Sequence, residues 1–361
     1  MRRALGLAAR GLGEANPNPV VGCLVVRERR GAGEGFHARA GGPHAEVLAL
    51  RQAGARARGA TVYVTLEPCA HHGRTPPCAP LLVEAGVARV VAAMRDPNPL
   101  VAGRGIEHLL RAGVAVETGL LASEAARLNE PFLTWARRGR PFVLLKAALT
   151  LDGRLATASG RSTWLTGPAE RRQARWLRRL HDAVVVGVGT ALADDPLLLP
   201  SPRTARPFVR VVLDSRLRLP PGSRLARTAS PRTPVLVVGC SSVGKRRRAL
   251  EARGVEVVVV EEKGGRVSLP AALEALAARG LTSLMVEGGS EVLGSFLAAR
   301  LADQVALFRA PLLLGGRGSL PAFGGPDPRR IEDALRLEPV PAEPAFPWPW
   351  TPRFELWRPR R

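Results

Sequence analysis

The chain has 361 residues, of which 46% are hydrophobic, so it is long enough for two domains that each bury a core. The sequence contains no run of about 18 apolar residues, and this excludes a transmembrane helix. Arg10 and Glu14 interrupt the segment where a signal peptide would need an apolar stretch, so we expect a soluble, cytoplasmic protein. Its four cysteines are too few for a disulfide-stabilised fold of this size.

The formal charge of +22 is typical of a protein that binds nucleic acid, but the residue types argue against that function. Only three of the 53 basic residues are lysine, and the arginines are dispersed along the sequence. With a single tyrosine and 4% aromatic residues in total, the chain also has few of the aromatic side chains on which a single-strand binder stacks bases. We therefore expect no nucleic acid partner. The charge alone favours the alternative of a basic nucleic-acid-binding protein with a zinc-stabilised module.

Over roughly the first 135 residues, short apolar runs alternate with helical patterns. This alternation predicts an α/β domain in which helices cover a parallel or mixed sheet. The predicted strands are residues 20–26, 61–65 and 87–93, and the predicted helices are residues 45–53, 79–85, 105–112 and 123–135.

A basic segment with Gly139 and Pro141 ends this first half and is the best candidate for a domain boundary. A second α/β series follows it, with a helix predicted at 169–180 and a possible edge strand at 353–357. Its other predicted strands are residues 142–149, 183–188, 208–213, 235–238, 255–260, 283–287 and 304–310.

One group of residues in the first half has the spacing of a catalytic zinc site. Glu46 follows His44 by two residues, and Cys78 follows Cys69 by nine. One imidazole and two thiolates supply three ligands, which leaves the fourth tetrahedral position for a water whose pKa the metal lowers to about 7. Glu46 is not a ligand in this scheme and is the expected proton shuttle.

Prolines before two of the ligands predict that these ligands lie at helix starts. Pro43 is expected at the first position of one helix, with His44 in its first turn. Pro76 and Pro77 predict a second helix that begins at Cys78, where the positive end of the helix dipole favours a thiolate.

The competing explanation is a core histidine with two unrelated buried cysteines, which would suffice for any one of these residues alone. The joint pattern favours a metal site, because zinc deaminases have the same His-x-Glu and Pro-Cys parts. A closed structural zinc site would leave Glu46 without a role and would need a fourth ligand. His71 and His72 are the rivals for that place, and we expect them to line the pocket instead.

Eight residues separate Cys69 from Cys78, whereas nucleic-acid deaminases usually have two residues between their cysteines. The sequence Cys-Ala-His-His-Gly-Arg-Thr-Pro-Pro-Cys resembles the bifunctional deaminase/reductase family of riboflavin biosynthesis. Other segments that resemble this family follow in its order, at residues 16–22, 43–46, 96–99, 101–105, 145–146, 151–154, 183–195 and 286–290.

The resemblance implies a cytidine-deaminase-like three-layer domain at residues 1–138 and a dihydrofolate-reductase-like domain at residues 141–361. The first would use zinc to deaminate 2,5-diamino-6-(5-phosphoribosylamino)pyrimidin-4(3H)-one. The second would use NADPH to reduce the product, 5-amino-6-(5-phosphoribosylamino)uracil, to its ribityl form. The implied partner is this small-molecule substrate, with no nucleic acid and no membrane, and we expect a homo-oligomer.

The resemblance also implies roles for individual residues. His44, Cys69 and Cys78 would hold zinc, and Glu46 would be catalytic. The substrate of the deaminase would contact Asn18, His71, Arg74 and Asn98. NADPH would contact Ala148, Trp164, Thr190, Asp194, Ser215, Gly289, Ser290, Glu291, Val292, Leu293, Gly294 and Ser295. The substrate of the reductase would contact Ser162, Arg178, Leu198, Arg203 and Glu287.

The second half departs from the family pattern after Asp194, where the segment that leads to Arg203 is two residues longer than usual and lacks a threonine. The contact of Arg203 with the substrate phosphate is therefore open. A second domain that has lost reductase activity and only scaffolds assembly is the alternative for this half.

Overall fold

The computed structural model describes residues 1–71, 76–98, 101–161, 165–240, 244–340 and 351–360. These residues divide into two compact units, the first within Met1–Gly139 and the second beginning at Arg140. Across the described ranges, every helix is too short or too polar to cross a membrane.

The first unit contains a mixed five-stranded sheet in the order β2-β1-β3-β4-β5. Strand β1 is antiparallel to β2 and β3, and β3, β4 and β5 are parallel to one another. In chain order the elements are α1 (Arg2–Ala9), β1 (Gly22–Arg27), β2 (Arg30–Phe36), α2 (Ala45–Ala53), β3 (Thr61–Val64), α3 (Cys78–Glu84), β4 (Arg89–Ala92), α4 (Arg104–Arg111), β5 (Ala115–Thr118), α5 (Ala122–Leu128) and α6 (Glu130–Arg138).

Helices cover both faces of this sheet, because alternate residues of a strand point to opposite sides. Cys23 and Val25 on β1 are fully buried in a cluster that includes the alanines of α2. Gly22 faces the other side, where a Cβ would lie 2.0 Å from the carbonyl oxygen of Ala4 in α1. The absence of a side chain at Gly22 therefore lets α1 pack directly on the strand, and the unit has three layers.

The prediction of a single helix at 123–135 is wrong, since the structure has two helices, α5 and α6, that meet at Asn129. Pro131 cannot donate a backbone hydrogen bond, so it fits the start of a new helix better than the interior of a long one. The side chain of Asn129 also binds the backbone of Val20 at both its N–H and its carbonyl group.

The second unit contains a nine-stranded sheet in the order β11-β10-β9-β8-β14-β6-β15-β18-β17. The pairings from β11 to β15 are parallel, whereas β18 is antiparallel to β15 and to β17. The elements are β6 (Phe142–Thr150), β7 (Arg154–Ala156), α7 (Pro168–Leu180), β8 (Ala183–Gly187), α8 (Val188–Asp194), β9 (Val209–Leu213), α9 (Arg224–Arg227), β10 (Val235–Gly239), α10 (Lys245–Glu251), β11 (Glu256–Val259), β12 (Glu262–Lys263), β13 (Arg266–Val267), α11 (Leu269–Ala277), β14 (Ser283–Val286), α12 (Ser290–Ala298), β15 (Gln304–Ala310), β16 (Leu320–Pro321), β17 (Leu337–Pro339) and β18 (Glu355–Pro359).

Two apolar clusters lie on opposite faces of the large sheet. Ala183 and Val185 on β8 belong to the cluster that includes α11 and α12, and Val184 and Val186 belong to the cluster that includes α8, α9 and α10. The central strands are buried on both faces, as expected for parallel strands between two layers of helices. Because β8, β9 and β14 are parallel, their carboxyl ends meet at one edge, where α/β sheets commonly bind ligands.

The strand near the end of the chain was predicted at the sheet edge, and this prediction is wrong. Strand β18 lies one place inside, because β17 pairs with its outer side through Leu337 opposite Pro359. Strand β17 has only three residues and ends in Pro339, so it shows no apolar alternation that the sequence could reveal.

Candidate functional site

Three elements of the first unit bring the predicted metal ligands together. His44 is the N-cap residue of α2, Cys69 lies in the loop after β3, and Cys78 is the first residue of α3 behind Pro77. The helix start predicted at Cys78 is confirmed. Pro43, in contrast, lies before the cap rather than at the first helical position, because His44 keeps an extended backbone (φ −70°, ψ 160°).

The three donor atoms fit a zinc ion. The Nδ1 atom of His44 lies 3.2 Å from Sγ of Cys78 and 3.6 Å from Sγ of Cys69, and all three atoms lie within 4.8 Å of one another. Tetrahedral zinc with ordinary Zn–N and Zn–S bonds separates such donors by roughly 3.6 Å. The backbone N–H of Cys78 also donates to Sγ of Cys69 at 3.4 Å, which supports a thiolate there.

The two cysteines differ in pKa, and Cys69 is the one that favours the thiolate. A hydrogen bond from the Cys78 thiol, with support from His44, lowers the pKa of Cys69 to about 4, although burial opposes this shift. The same hydrogen bond and burial raise the pKa of Cys78. A metal that binds both sulfurs would displace the proton that they share, so zinc affinity should increase with pH.

Glu46 is 4% exposed and lies on α2 beside the ligand cluster. Burial, followed by repulsion from the Cys69 thiolate, raises the pKa of Glu46 to about 7, against the opposing effects of His44 and a hydrogen bond from Cys78. A carboxyl group whose pKa lies near neutrality can both accept and return a proton. The position of Glu46 therefore fits its predicted role as the shuttle.

Asn18, a predicted substrate contact, is oriented by a histidine that sequence reasoning missed. The ring of His37 lies 3.1 Å from the carbonyl oxygen of Pro43 through Nδ1 and 3.1 Å from the amide nitrogen of Asn18 through Nε2. A carbonyl only accepts, so Nδ1 carries the proton and Nε2 accepts from Asn18. The amide oxygen of Asn18 is then its remaining acceptor.

The other predicted contacts in this unit differ in how the structure places them. His71 is exposed, and Asn98 follows β4 with its backbone N–H bound to Asp96 at 2.8 Å. Burial is the main cause that raises the pKa of Asp96 to about 6. His72 and Arg74 lie outside the described residues.

Glu67 is a second buried residue that sequence reasoning missed. Its carboxylate accepts hydrogen bonds from the backbone N–H groups of Asp96, Gly103, Gly105 and Ile106. Its place two residues before Cys69 was visible in the sequence, but its partners lie 29 to 39 residues away, and no local pattern identifies them.

In the second unit, several predicted NADPH contacts lie at the carboxyl edge of the parallel strands. Thr190 follows β8, Ser215 follows β9, and Gly289 follows β14. A Cβ at Gly289 would lie 3.2 Å from the hydroxyl oxygen of Thr190, so α8 and α12 begin close together. Ala148 lies within β6 and is partly buried, and Asp194 ends α8 and is exposed.

The start of α12 is shaped by glycines. Gly289 has a left-handed φ of 65°, and a Cβ at Gly288 would lie 2.8 Å from Cα of Val186. These residues let backbone N–H groups at a helix start face a ligand closely, which suits a pyrophosphate. Two residues of α12 that were predicted to contact NADPH lie in different environments. Leu293 is buried in the core, whereas Glu291 is exposed and pairs with Arg266 at 3.0 Å.

Next to this edge lies a buried cluster of charges. One edge of the Arg178 guanidinium forms a bidentate pair with Glu287, through Nε to Oε1 and through Nη2 to Oε2 at 2.9 Å. Nη1 donates to the carbonyl oxygen of Leu199. Lys146 lies 3.8 Å from Glu287 and above the ring of Phe308. Arg178 and Glu287, predicted separately, are therefore direct partners.

Lys146 received no role from the sequence, although a lysine inside a nine-residue apolar strand was a signal. Burial and the charge of Arg178 lower the pKa of Lys146, whereas Glu287 raises it. For Glu287, burial favours the neutral acid, but Arg178 and Lys146 together hold its pKa below the usual value.

The remaining predicted substrate contacts of this unit are dispersed. Leu198 is 5% exposed and has a left-handed φ of 53°, so its side chain belongs to the core and only its backbone can face a ligand. Arg203 is exposed on the loop after α8. Ser162 and Trp164 lie outside the described residues.

Two family models match the chain. The RibD C-terminal domain matches residues 141–344, which is more than half of the sequence, and the cytidine and deoxycytidylate deaminase zinc-binding region matches residues 1–94. The expected fold class is thus confirmed, with a cytidine-deaminase-like first unit and a dihydrofolate-reductase-like second unit of the RibD type.

Full-length relatives and solved structures agree with these matches. Riboflavin biosynthesis protein RibD of Bacillus amyloliquefaciens is 42% identical, with 94% of this chain and 91% of the relative covered. The Escherichia coli (strain K12) RibD protein is 44% identical over 87% of this chain and 88% of its own length. The Acinetobacter baumannii RibD structure superposes with a TM-score of 0.88 at 39% identity, covering 100% of this chain and 98% of that one. On these grounds the chain belongs to the RibD family of riboflavin biosynthesis proteins.

Proposed function

We propose that this enzyme carries out two successive reactions of riboflavin biosynthesis, one in each unit. The first unit, residues 1–138, hydrolytically deaminates 2,5-diamino-6-(5-phosphoribosylamino)pyrimidin-4(3H)-one and releases ammonia. The second unit, residues 141–361, uses NADPH to reduce the ribosyl part of the resulting uracil to a ribityl chain. A solved relative from Thermotoga maritima, a deaminase and reductase of these compounds, has a TM-score of 0.85 to this chain at 36% identity, covering 100% of this chain and 97% of that one.

The observation that carries the deaminase assignment is the convergence of His44, Cys69 and Cys78 beside Glu46. The three residues would hold zinc, which when bound activates a water molecule as a nucleophile. Glu46 accepts one proton from the water and delivers it to the ring nitrogen, and it then transfers the proton of the newly attached hydroxyl group to the departing amine. A water oxygen replaces the amino group at the ring carbon, so the reaction consumes one water and releases one ammonia.

Substrate binding in the first unit is assigned to polar groups around this cluster. Asn18 offers an amide oxygen that His37 holds in one orientation, and Asn98 is fixed by Asp96. An amino-bearing pyrimidine presents both donors and acceptors, which such amides recognise by hydrogen bonding. His71 and Arg74 complete the proposed contacts.

Replacement of Glu46 tests the deaminase mechanism. Glu46→Gln should bind zinc as the wild type does but release ammonia at least about 100-fold more slowly, because the amide cannot accept and return a proton. The measurements are the metal content by emission spectroscopy and ammonia release from the diaminopyrimidine. Reduction of the preformed aminouracil by the same preparation is the control for folding. Ammonia release at the normal rate would contradict the role of Glu46.

The second unit fits NADPH through the glycine-lined start of α12 and the neighbouring start of α8. Bound NADPH supplies the hydride for the reduction. Backbone groups of the Gly289–Ser295 segment would bind its pyrophosphate, with Ala148, Trp164, Thr190, Asp194 and Ser215 as further contacts. The buried group of Lys146, Arg178 and Glu287 would orient the polar substrate, with Ser162, Leu198 and Arg203 as further contacts.

We also propose that the enzyme acts in the cytoplasm as a homo-oligomer and without nucleic acid. Its substrates are small soluble metabolites, and its arginines are dispersed along the sequence. Light scattering of the purified enzyme gives its molar mass and hence its oligomeric state. The same measurement with added RNA shows whether the molar mass changes, and we expect no change.

A further inference from the structure

Glu67 lies at the centre of a hydrogen-bond network next to the metal ligands. It is 4% exposed, and each of its carboxylate oxygens accepts two backbone N–H groups. Oε2 binds Asp96 and Gly103, both at 3.1 Å, and Oε1 binds Gly105 at 3.0 Å and Ile106 at 3.3 Å. A carboxylate has about four acceptor positions, so the four donors match it completely.

This network connects two parts of the deaminase site that are distant in sequence. Glu67 precedes Pro68 and Cys69, and its own N–H binds the carbonyl oxygen of Met94 at 3.0 Å. The donors to its carboxylate begin and end the segment 96–106, which contains Asn98. The segment that carries the ligand Cys69 is thereby fixed to the segment that carries a proposed substrate contact.

Close packing between Gly105 and Pro68 also connects these two segments. A Cβ at Gly105 would lie 1.7 Å from the carbonyl oxygen of Pro68, so the start of α4 touches the ligand segment directly. Within the loop, Asp96 accepts the N–H of Asn98 at 2.8 Å. The position of Asn98 relative to Cys69 thus depends on the four bonds at Glu67 and on the contact at Gly105.

Resting on the proposed deaminase function, we propose that Glu67 is a positioning residue that sets the affinity for the pyrimidine by holding Asn98 in place relative to Cys69. Glutamine has nearly the same shape but only one acceptor oxygen, and its NH₂ group would face two backbone donors. Two of the four hydrogen bonds at residue 67 would be lost, whereas the bond from the N–H of Cys78 to Cys69 would stay. Such a loss weakens substrate binding equally before and during the reaction, which raises KM and leaves kcat nearly unchanged.

The test uses the full zinc-loaded chain with Glu67→Gln and, as a matched control, Glu107→Gln. Glu107 lies on α4 but is exposed and pairs with Arg111, so its replacement removes a charge of the same helix without touching the network. Glu67→Gln should raise KM for deamination about tenfold or more with less than a threefold change in kcat, and with the zinc content of the wild type. Glu107→Gln should match the wild type in all three.

A double-mutant cycle with Asn98→Ala separates positioning from general damage. If Glu67 acts through Asn98, the double variant should raise KM clearly less than the product of the two single effects. If Glu67→Gln does not fold, Gly105→Ala replaces it, because the added Cβ moves α4 away from Pro68 while the carboxylate stays. It should give the same increase in KM. Normal reduction of the aminouracil by each variant reports a folded chain.

Three results would overturn the inference: a wild-type KM in Glu67→Gln, a loss of zinc that accounts for the change, or independent effects at Glu67 and Asn98. The proposed function fails separately, if the wild-type chain itself releases no ammonia from the diaminopyrimidine.

Discussion

Two buried glutamates in the first unit show how neighbours decide the role of a residue. Glu46 and Glu67 are both 4% exposed. Glu46 lies beside Cys69 and has a pKa raised to about 7, whereas Glu67 is surrounded by four backbone donors. The first environment suits proton transfer, and the second suits a structural role, because every acceptor position of the side chain is used by the backbone. The sequence identified Glu46 through its spacing from His44, but the donors to Glu67 appear only in the folded chain.

His181, in the second unit, makes stability depend on pH. Burial lowers its pKa to about 4 from 6.5, against the attraction of Asp182. Between these values the unfolded chain binds more protons than the folded one, so stability falls as the pH decreases from 6.5 towards 4. From pH 7 to pH 5 this group alone should cost about 2 kcal/mol.

His181→Phe should remove this part of the pH dependence, because phenylalanine keeps an aromatic ring opposite Phe142 and has no titrating group. The free energy of unfolding from urea titrations at pH 7 and pH 5 measures the effect in both proteins. The difference between the two pH values should be smaller in the variant by about 2 kcal/mol. An equal difference in the two proteins would show that folding leaves the pKa of His181 unchanged, so that the folded and the unfolded chain bind this proton equally.

At the scale of elements, α12 depends on a glycine in its interior. A Cβ at Gly294 would lie 1.6 Å from the carbonyl oxygen of Gly324, so the helix contacts the backbone at Gly324 directly. The N–H of Gly324 also donates to the carbonyl oxygen of Ser290 at 3.0 Å. The backbone at Gly324 thus fixes the position of α12, whose first turn is proposed to bind the pyrophosphate of NADPH.

Gly294→Ala should therefore weaken NADPH binding by roughly tenfold, because either the helix or the segment at Gly324 must move, and a misplaced binding element lowers affinity steeply. Titration of the enzyme with NADPH, followed by nucleotide fluorescence, measures the dissociation constant. Gly222→Ala is the control, since a Cβ there meets nothing within 4 Å. Wild-type affinity for NADPH in Gly294→Ala would show that this helix is not part of the cofactor site.

The sequence predicted elements best where one local pattern decides the structure. Helix α2 and strand β15 have the predicted bounds, because alanine-rich and apolar runs there end at clear breaks. The break between α5 and α6 was missed, since it depends on Asn129 and its contact with the distant Val20. Strand β17 was missed because three residues carry no periodicity. Sheet order and long-range hydrogen bonds depend on pairings that single segments do not encode.

On the scale of the whole molecule, each unit has its own core and its own candidate site. Among the described residues, the one group of histidine, cysteine or acidic side chains with metal-binding geometry is His44, Cys69 and Cys78. The sequence predicted that these three residues come together, because short motifs with a characteristic spacing contain them. It assigned no role to Lys146, whose importance depends on Glu287, 141 residues away.

Removal of zinc should therefore affect one activity. A chelator that empties the His44, Cys69 and Cys78 cluster should abolish ammonia release, whereas reduction of the preformed aminouracil by NADPH should continue at the normal rate. Added zinc should restore deamination. If both activities declined in proportion to the metal removed, the reductase would also depend on zinc, which would contradict the assignment of zinc to deamination alone.

The most direct test of the central claim follows ammonia and NADPH together, with the purified chain and the diaminopyrimidine substrate. We expect ammonia to appear first and NADPH oxidation to follow after a lag, with one ammonia released in total for each NADPH oxidised. Ammonia release without any NADPH oxidation would leave a deaminase with an inactive second unit. NADPH oxidation without ammonia would contradict the order of the two reactions.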